Sequence, residues 1–289
     1  MKKEAKTFVR YTSALILPAT LVALVLLVAP LLLLFRYSLN IYSPTDLMIE
    51  ALTAANYRAA VTDPYYRDVM ATTLRVAFVS TLIALAAGFP AAYTLARMGP
   101  RWKSALTILT VFPLLVGNVV RAAGWLTLLG NAGVVNAGLQ RLGLTAGPVQ
   151  IIYTEGAVIA GLVTVVLPYM ILTLASVIEN IAPAVEEAAL NLGAPPFTVF
   201  RRVIFPLALP GVVAGSALVF ILCMNAYATP VLLGGAKFKM MAPAVYDQFV
   251  RTSNWPFGAA LAFILLAVTL GLTLSGSALL QRRSGPKTA

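Results

Sequence analysis

The sequence predicts an all-α integral membrane protein of about six spanning helices. Three observations predict it. Only 11% of the 289 residues are charged, where a soluble domain carries about 25%. The mean hydropathy is +0.88. Apolar runs of spanning length recur along the whole chain, separated by short polar segments.

The first run, Ser13–Phe35, follows a basic start with Lys2, Lys3, Lys6 and Arg10. A cleaved signal peptide has an apolar core of about 7–15 residues, so this longer run reads as a retained first span. A polar stretch, Arg36–Asp68, leads to a second span at Val69–Ala96, closed by Arg97, Arg101 and Lys103. The third span is expected at Ser104–Leu129. Gly130–Gln150, rich in Gly and Asn, predicts a short interfacial helix plus loop. The fourth span is expected at Ile151–Ile178, the fifth at Leu207–Leu232 and the sixth at Pro256–Leu280. A mixed segment, 179–206, separates the fourth and fifth, and a short loop, Leu233–Trp255, separates the fifth and sixth. No soluble domain interrupts the pattern, so residues 1–289 read as one membrane domain. Several spans hold breakers: Gly88 and Pro90, Pro113 and Gly117, Pro168, Pro210 and Gly211. Membrane helices tolerate these where neighbours satisfy the freed backbone groups.

Lys and Arg set the orientation. Twelve of the 21 lie in the N-terminal tail, Arg97–Lys103, Arg201–Arg202 and the tail with Arg282, Arg283 and Lys287. That side is expected to be cytoplasmic, with both termini inside. The net charge of +11 is accounted for by such clusters beside apolar runs, which lie against anionic lipid, and no nucleic acid is implied. With no His, His-based metal sites, triads and proton relays are excluded, and the single Cys223 forms no intrachain disulfide. No metal site is expected.

The segment from Pro183 to Pro196 carries the grammar of a helix. Pro183 suits a first turn, and Glu186 and Glu187 suit the positive end of the helix dipole. Ala188, Ala189, Leu190 and Leu192 favour helix, and Gly193 suits a left-handed stop. Pro195 and Pro196 open a second helix, Phe197–Phe205, expected to end at Pro206. From these residues alone, an amphipathic connector and a docking element are equally good readings.

Glu187-Ala188-Ala189, three residues, Gly193, nine residues, then Val203-Ile204-Phe205-Pro206 resembles the EAA loop of ABC importer permeases. Of seven defined positions five are identical, and Val203 in place of Ile and Phe205 in place of Leu are apolar swaps. The resemblance implies that the short helix is a cytoplasmic coupling helix seated in a groove of a separate ATPase subunit. Glu187 would then pair with a basic residue of that subunit. The chain itself has no G-x-x-x-x-G-K-[ST] phosphate loop: Gly234-Gly235-Ala236-Lys237 lacks the spacing. This chain is therefore expected to be non-catalytic and to bind no cofactor, with ATP and Mg on the partner.

Phe89-Pro-Ala-Ala-Tyr93-Thr-Leu-Ala-Arg97, Arg121-Ala-Ala-Gly-Trp125, Thr229-Pro230-Val-Leu-Leu-Gly234-Gly235 and Trp255-Pro256-Phe257-Gly258-Ala-Ala260 resemble, in order, segments of spermidine/putrescine-type permeases. The implied setting is a bacterial inner membrane. The implied partners are an ATPase dimer, a second permease that is a different chain, and a periplasmic solute-binding protein. The implied cargo is a polyamine, or a related solute such as an opine or iron. A polyamine path needs carboxylates and aromatic faces. Candidate path residues are Asn118, Arg121, Trp125, Glu155, Tyr169, Asn225, Tyr227 and Asp247. Arg121 reads either as a snorkelling or ion-paired structural residue, or as a path residue for a substrate carboxylate. Asn118 and Asn225 read either as interhelical hydrogen-bond glue or as path-lining groups. An ion-coupled transporter would place more acids or histidines in its spans, and a membrane enzyme would need convergent titratable groups.

Overall fold

Long apolar runs without charge leave the backbone one way to satisfy its polar groups in hydrocarbon, the α-helix. The computed structural model describes residues 2–284 and is predominantly helical. The side chains of Lys2, Lys3, Lys6, Arg10, Arg282, Arg283 and Lys287, on which the expected orientation partly rests, lie outside the described residues. α1 spans Lys2–Ser38, and its Leu21, Leu24, Leu26, Leu27 and Leu32 are all exposed. So continuous an apolar surface suits a lipid surround and not water.

The polar stretch after α1 is folded. β1 (Ile41–Ser43) and β2 (Leu47–Ile49) form an antiparallel hairpin pairing Ile41 with Ile49 and Ser43 with Leu47, followed by α2 (Ala55–Thr62). Buried Ser38 and half-buried Asn56 and Tyr57 tie these together. Asn56 Nδ2 donates to the carbonyls of Ser38 and Asn40, both at 2.8 Å, and Ser38 Oγ meets the Tyr57 hydroxyl at 2.7 Å.

The remaining helices are α3 (Pro64–Arg97), α4 (Pro100–Leu115), α5 (Asn118–Leu129), α6 (Val134–Arg141), α7 (Glu155–Glu179), α8 (Pro183–Asn191), α9 (Pro196–Val199), α10 (Phe205–Met224), α11 (Ala228–Gly234), α12 (Met241–Val250) and α13 (Trp255–Ser284). The chain forms two compact units. One comprises the chain up to Asp63 with Val245–Ile264, and the other comprises Pro64–Ala244 with the chain from Leu265 onward.

Five continuous stretches are long and apolar enough to cross a membrane: Thr20–Ser38, Pro64–Arg97, Glu155–Glu179, Pro196–Met224 and Trp255–Gly276. A sixth is broken, with a 93° bend between Pro100–Leu115 and Asn118–Arg141. The third span is thus not the continuous Ser104–Leu129 of the sequence reading. Pro113 lies inside α4, and Gly117 is extended at the start of α5, so the hydrogen-bond ladder stops there. The fifth span also differs. It starts at Pro196 and stops at Met224, and the chain then turns through Asn225–Tyr227 into α11. The helix opened by Pro196 does not end at Pro206. A π turn, Phe200–Ile204, joins α9 to α10, with the Phe205 N–H donating to the Phe200 carbonyl. Proline has no N–H to donate and crowds the carbonyl four residues back, and a wider turn before it absorbs both effects. The loop between the fifth and sixth spans holds α12.

The core of the larger unit is the packing of α3, α7 and α10 on one another. Leu162, Met170, Leu174 and Ile178 of α7 are fully buried. Glycines permit the close crossings. A Cβ at Gly88 would come 2.9 Å from Met170 Cγ, and one at Gly211 would come 2.9 Å from the Val177 side chain. Val177 is β-branched and has little room to yield. Gly211→Val is expected to destabilise the bundle by about 1–3 kcal/mol through overpacking, read as a lower unfolding temperature in detergent. Gly124→Ala, which adds its Cβ to open space, is the control and leaves that temperature unchanged.

Candidate functional site

α8 begins on Pro183, whose missing N–H is no loss in a first turn. It ends in a Schellman motif. Gly193 sits at φ +83°, the Gly193 N–H donates to the Leu190 carbonyl at 2.9 Å, and the Ala194 N–H donates to the Ala189 carbonyl at 3.2 Å. Pro195 then caps α9, with the Thr198 and Val199 N–H groups both donating to its carbonyl. The sequence signals at both ends of α8 therefore act as expected.

Of the residues of α8, only Glu186 is buried. Its carboxylate accepts from Arg97 Nε at 2.9 Å and from Arg97 Nη2, and the Tyr93 hydroxyl donates to its other oxygen at 2.8 Å. Arg97 and Tyr93 lie four residues apart on the last turns of α3, hence on one face. Glu187 is exposed and has no ion-pair partner among the described residues. Ala188 is exposed and Ala189 half-buried. Leu192 is 90% exposed and Phe197 71% exposed, so the turn between α8 and α9 carries a bare apolar edge. On the inner side, Phe89 of α3 meets Phe200 edge-on at 5.2 Å and Phe205 at 5.9 Å. Val203 is half-buried, and Pro206 lies in the first turn of α10.

The second feature is a cavity of about 440 Å³ whose polar lining is Asn118, Arg121, Tyr169, Asn225, Tyr227 and Thr229. It is placed by the two interruptions noted above. Asn118 and Arg121 lie just after the break between α4 and α5, and Asn225 and Tyr227 lie in the turn between α10 and α11. Arg121 Nη2 donates to the Pro113 carbonyl and, at 2.9 Å, to the Val116 carbonyl. A cation thus caps the C-terminal end of α4, where the dipole favours it. Arg121 Nε and Nη1 are buried without a partner among the described residues. Asn225 Nδ2 donates to the Ile221 carbonyl in the last turn of α10 at 2.9 Å.

Five of the eight candidate path residues therefore share one cavity: Asn118, Arg121, Tyr169, Asn225 and Tyr227. The other three do not line it. Trp125 Nε1 donates to Thr164 Oγ1 at 3.1 Å and joins α5 to α7. Glu155 binds Arg75 through two bonds of 2.9 and 2.6 Å at the N-terminus of α7. Asp247 of α12 pairs at 3.1 Å with Arg251, just past the end of that helix. No cluster of three or more His, Cys, Asp or Glu is placed to hold a metal among the described residues.

The family described as the inner membrane component of binding-protein-dependent transport systems matches residues 84–285. The chain belongs to this family. Among relatives of this permease, the spermidine/putrescine transport system permease protein PotB of Haemophilus influenzae is 35% identical over 235 residues, covering 80% of this chain and 82% of that protein. PotB of Escherichia coli is 36% identical over 222 residues, covering 77% and 80%. In fold, the permease resembles a chain of a bacterial alginate ABC transporter solved with a periplasmic protein bound to alginate pentasaccharide. The TM-score is 0.79 at 16% identity, over 98% of this chain and 97% of that one. A chain of the inward-facing MetNI methionine ABC transporter matches with a TM-score of 0.57 at 17% identity, over 74% and 94%.

Sequence reasoning missed Glu186. Its signal was present in the permease sequence, in the spacing of Tyr93 and Arg97 on one helix face. The partner across more than eighty residues of chain had no local signature.

Proposed function

We propose that this permease forms half of the translocation path of an ABC importer for a polyamine, with α8 as the coupling helix of its ATPase. The single observation that carries the cargo is the likeness to PotB from two species at 35–36% identity over about four-fifths of each chain. The cavity suits that cargo in part. Tyr169 and Tyr227 offer aromatic faces to an ammonium group, and Asn118 and Asn225 offer amide oxygens. Glu187, Ala188, Ala189 and Gly193 form the surface that docks. Val203 and Pro206 hold the segment that joins the docked helix to α10. The docking side is cytoplasmic, as are both termini, and the opposite side receives solute from a periplasmic binding protein. A second, different permease completes the path, and the exposed leucines of α1 meet lipid. ATP and Mg stay on the partner, and the whole of residues 1–289 acts as one permease domain.

Reconstitution with the cognate ATPase, second permease and binding protein tests this. ATP-dependent uptake of labelled spermidine or putrescine into proteoliposomes is the expected result, and uptake that does not need ATP would sink the importer reading. A second reading has its own observation: the two unpartnered donors of Arg121 in the cavity favour a solute with a carboxylate. A binding protein that takes anionic solutes and ignores polyamines would decide for it.

A further inference from the structure

A helix that transmits force must be held at a fixed angle to what it moves. α8 has nine residues between two short connectors, 180–182 and 192–195. Its chain ends tie it to α7 and, through α9 and the π turn, to α10. These are short non-helical connectors at both ends, and the second includes a glycine in the left-handed region. An apolar face would ordinarily stop such a helix from swivelling, yet Val185 and Leu190 are exposed and the one buried side chain is the Glu186 carboxylate.

That carboxylate is fully engaged. Arg97 reaches one oxygen through both Nε and Nη2, and Tyr93 donates to the other at 2.8 Å. The side chains of Arg97 and Glu186 are only 20% and 12% exposed, so solvent screens the pair weakly. The contrast with Lys103–Glu179 nearby, 2.9 Å long but 36% exposed on each side, separates an anchor from a surface pair of little worth.

We propose that Glu186, with Arg97 and Tyr93, is a positioning cluster that clamps the coupling helix to the end of α3. The clamp makes ATPase movement reach the bundle as a rigid displacement. This rests on α8 being the coupling helix, and its failure is distinguishable from the failure of that reading. The neighbouring carboxylates divide the work: Glu187 faces out to the partner, and Glu186 faces in to α3. With the clamp gone, α8 still presents Glu187, Leu192 and Phe197 to the ATPase, but it turns on its connectors. ATP hydrolysis then proceeds without moving α3.

The test is made on the full transporter in proteoliposomes, measuring solute uptake, ATP hydrolysis and ATPase retention on purification. For Glu186→Gln, which keeps the shape but removes the charge of a buried pair, uptake per ATP hydrolysed falls by about tenfold or more, while the ATPase is retained as in the native complex. Tyr93→Phe, which removes one of the three bonds, gives a smaller fall. The exchange Arg97→Glu with Glu186→Arg restores part of the uptake per ATP lost in either single variant. Unchanged uptake per ATP in Glu186→Gln would overturn the clamp. So would a fall in uptake matched by an equal loss of bound ATPase, which would make Glu186 part of the docking surface. If neither Glu186→Gln nor Glu187→Lys altered retention or coupling, the assignment of α8 itself would fail.

Discussion

Glu187→Lys is expected to abolish ATP-driven uptake and to strip the ATPase from the purified permease. The side chain is exposed on a helix whose only buried residue is its neighbour, so the substitution leaves the permease's own unfolding temperature within the small range of surface changes, about 0.5 kcal/mol. The loss therefore falls on the interface. An acid that meets a basic partner, turned into a base, exchanges an attraction for a like-charge contact costing several kcal/mol. Gly193→Val reaches the same end by geometry. At φ +83° a β-branched residue is an outlier, and the left-handed turn costs about 1–2 kcal/mol. Relieving that strain opens the two bonds from Gly193 and Ala194 back into α8 and moves Leu192 and Phe197 off the docking edge. Pull-down and proteoliposome uptake read both variants. Full ATPase retention in both would remove the docking role from this loop.

How much of this was legible in the sequence depends on how local the cause is. Pro183, Gly193, Pro195 and Pro196 act through their own backbone restrictions, so the ends of α8 stood in the sequence to the residue. The apolar runs placed five spans because length and hydropathy are local sums. What failed was non-local or ambiguous. Pro206 reads as a stop, yet the π turn at Phe200–Ile204 carries the helix through it, and Phe200 and Phe205 at its two ends pack against Phe89 of α3, a contact with no local signature. Pro113 and Gly117 were visible as breakers. Their 93° consequence was not, because a membrane helix bends only if other groups take up the freed carbonyls. Here Arg121 takes them up. Glu155 illustrates the reverse. As an acid near a span it was a natural candidate for a cation path, but Arg75, eighty residues earlier, neutralises it with two bonds.

Arg121→Met is expected to destabilise the permease by about 3 kcal/mol, since bonds from a charged donor to buried carbonyls are each worth about 1.5–3 kcal/mol. The carbonyls of Pro113 and Val116 lie at the 93° bend, where the Pro113 carbonyl has, besides Arg121, only a long 3.3 Å bond from the Val116 N–H among the described residues. Arg121→Lys recovers part of the stability, because an ammonium reaches a carbonyl but lacks the planar fork that spans two. Thermal unfolding in detergent orders the three proteins as Arg, Lys, Met; equal temperatures for all three would mean that the break holds itself. Arg121→Gln separates this structural work from any bearing on cargo. Its amide removes the charge from the cavity but ends about two bonds short of Nη2, so stability falls towards that of Arg121→Met; if the cargo is a polyamine, uptake per folded transporter at low solute concentration rises or holds. If instead the solute carries a carboxylate, the same variant loses uptake by about tenfold or more, the scale on which removing a charged partner weakens a buried ionic contact.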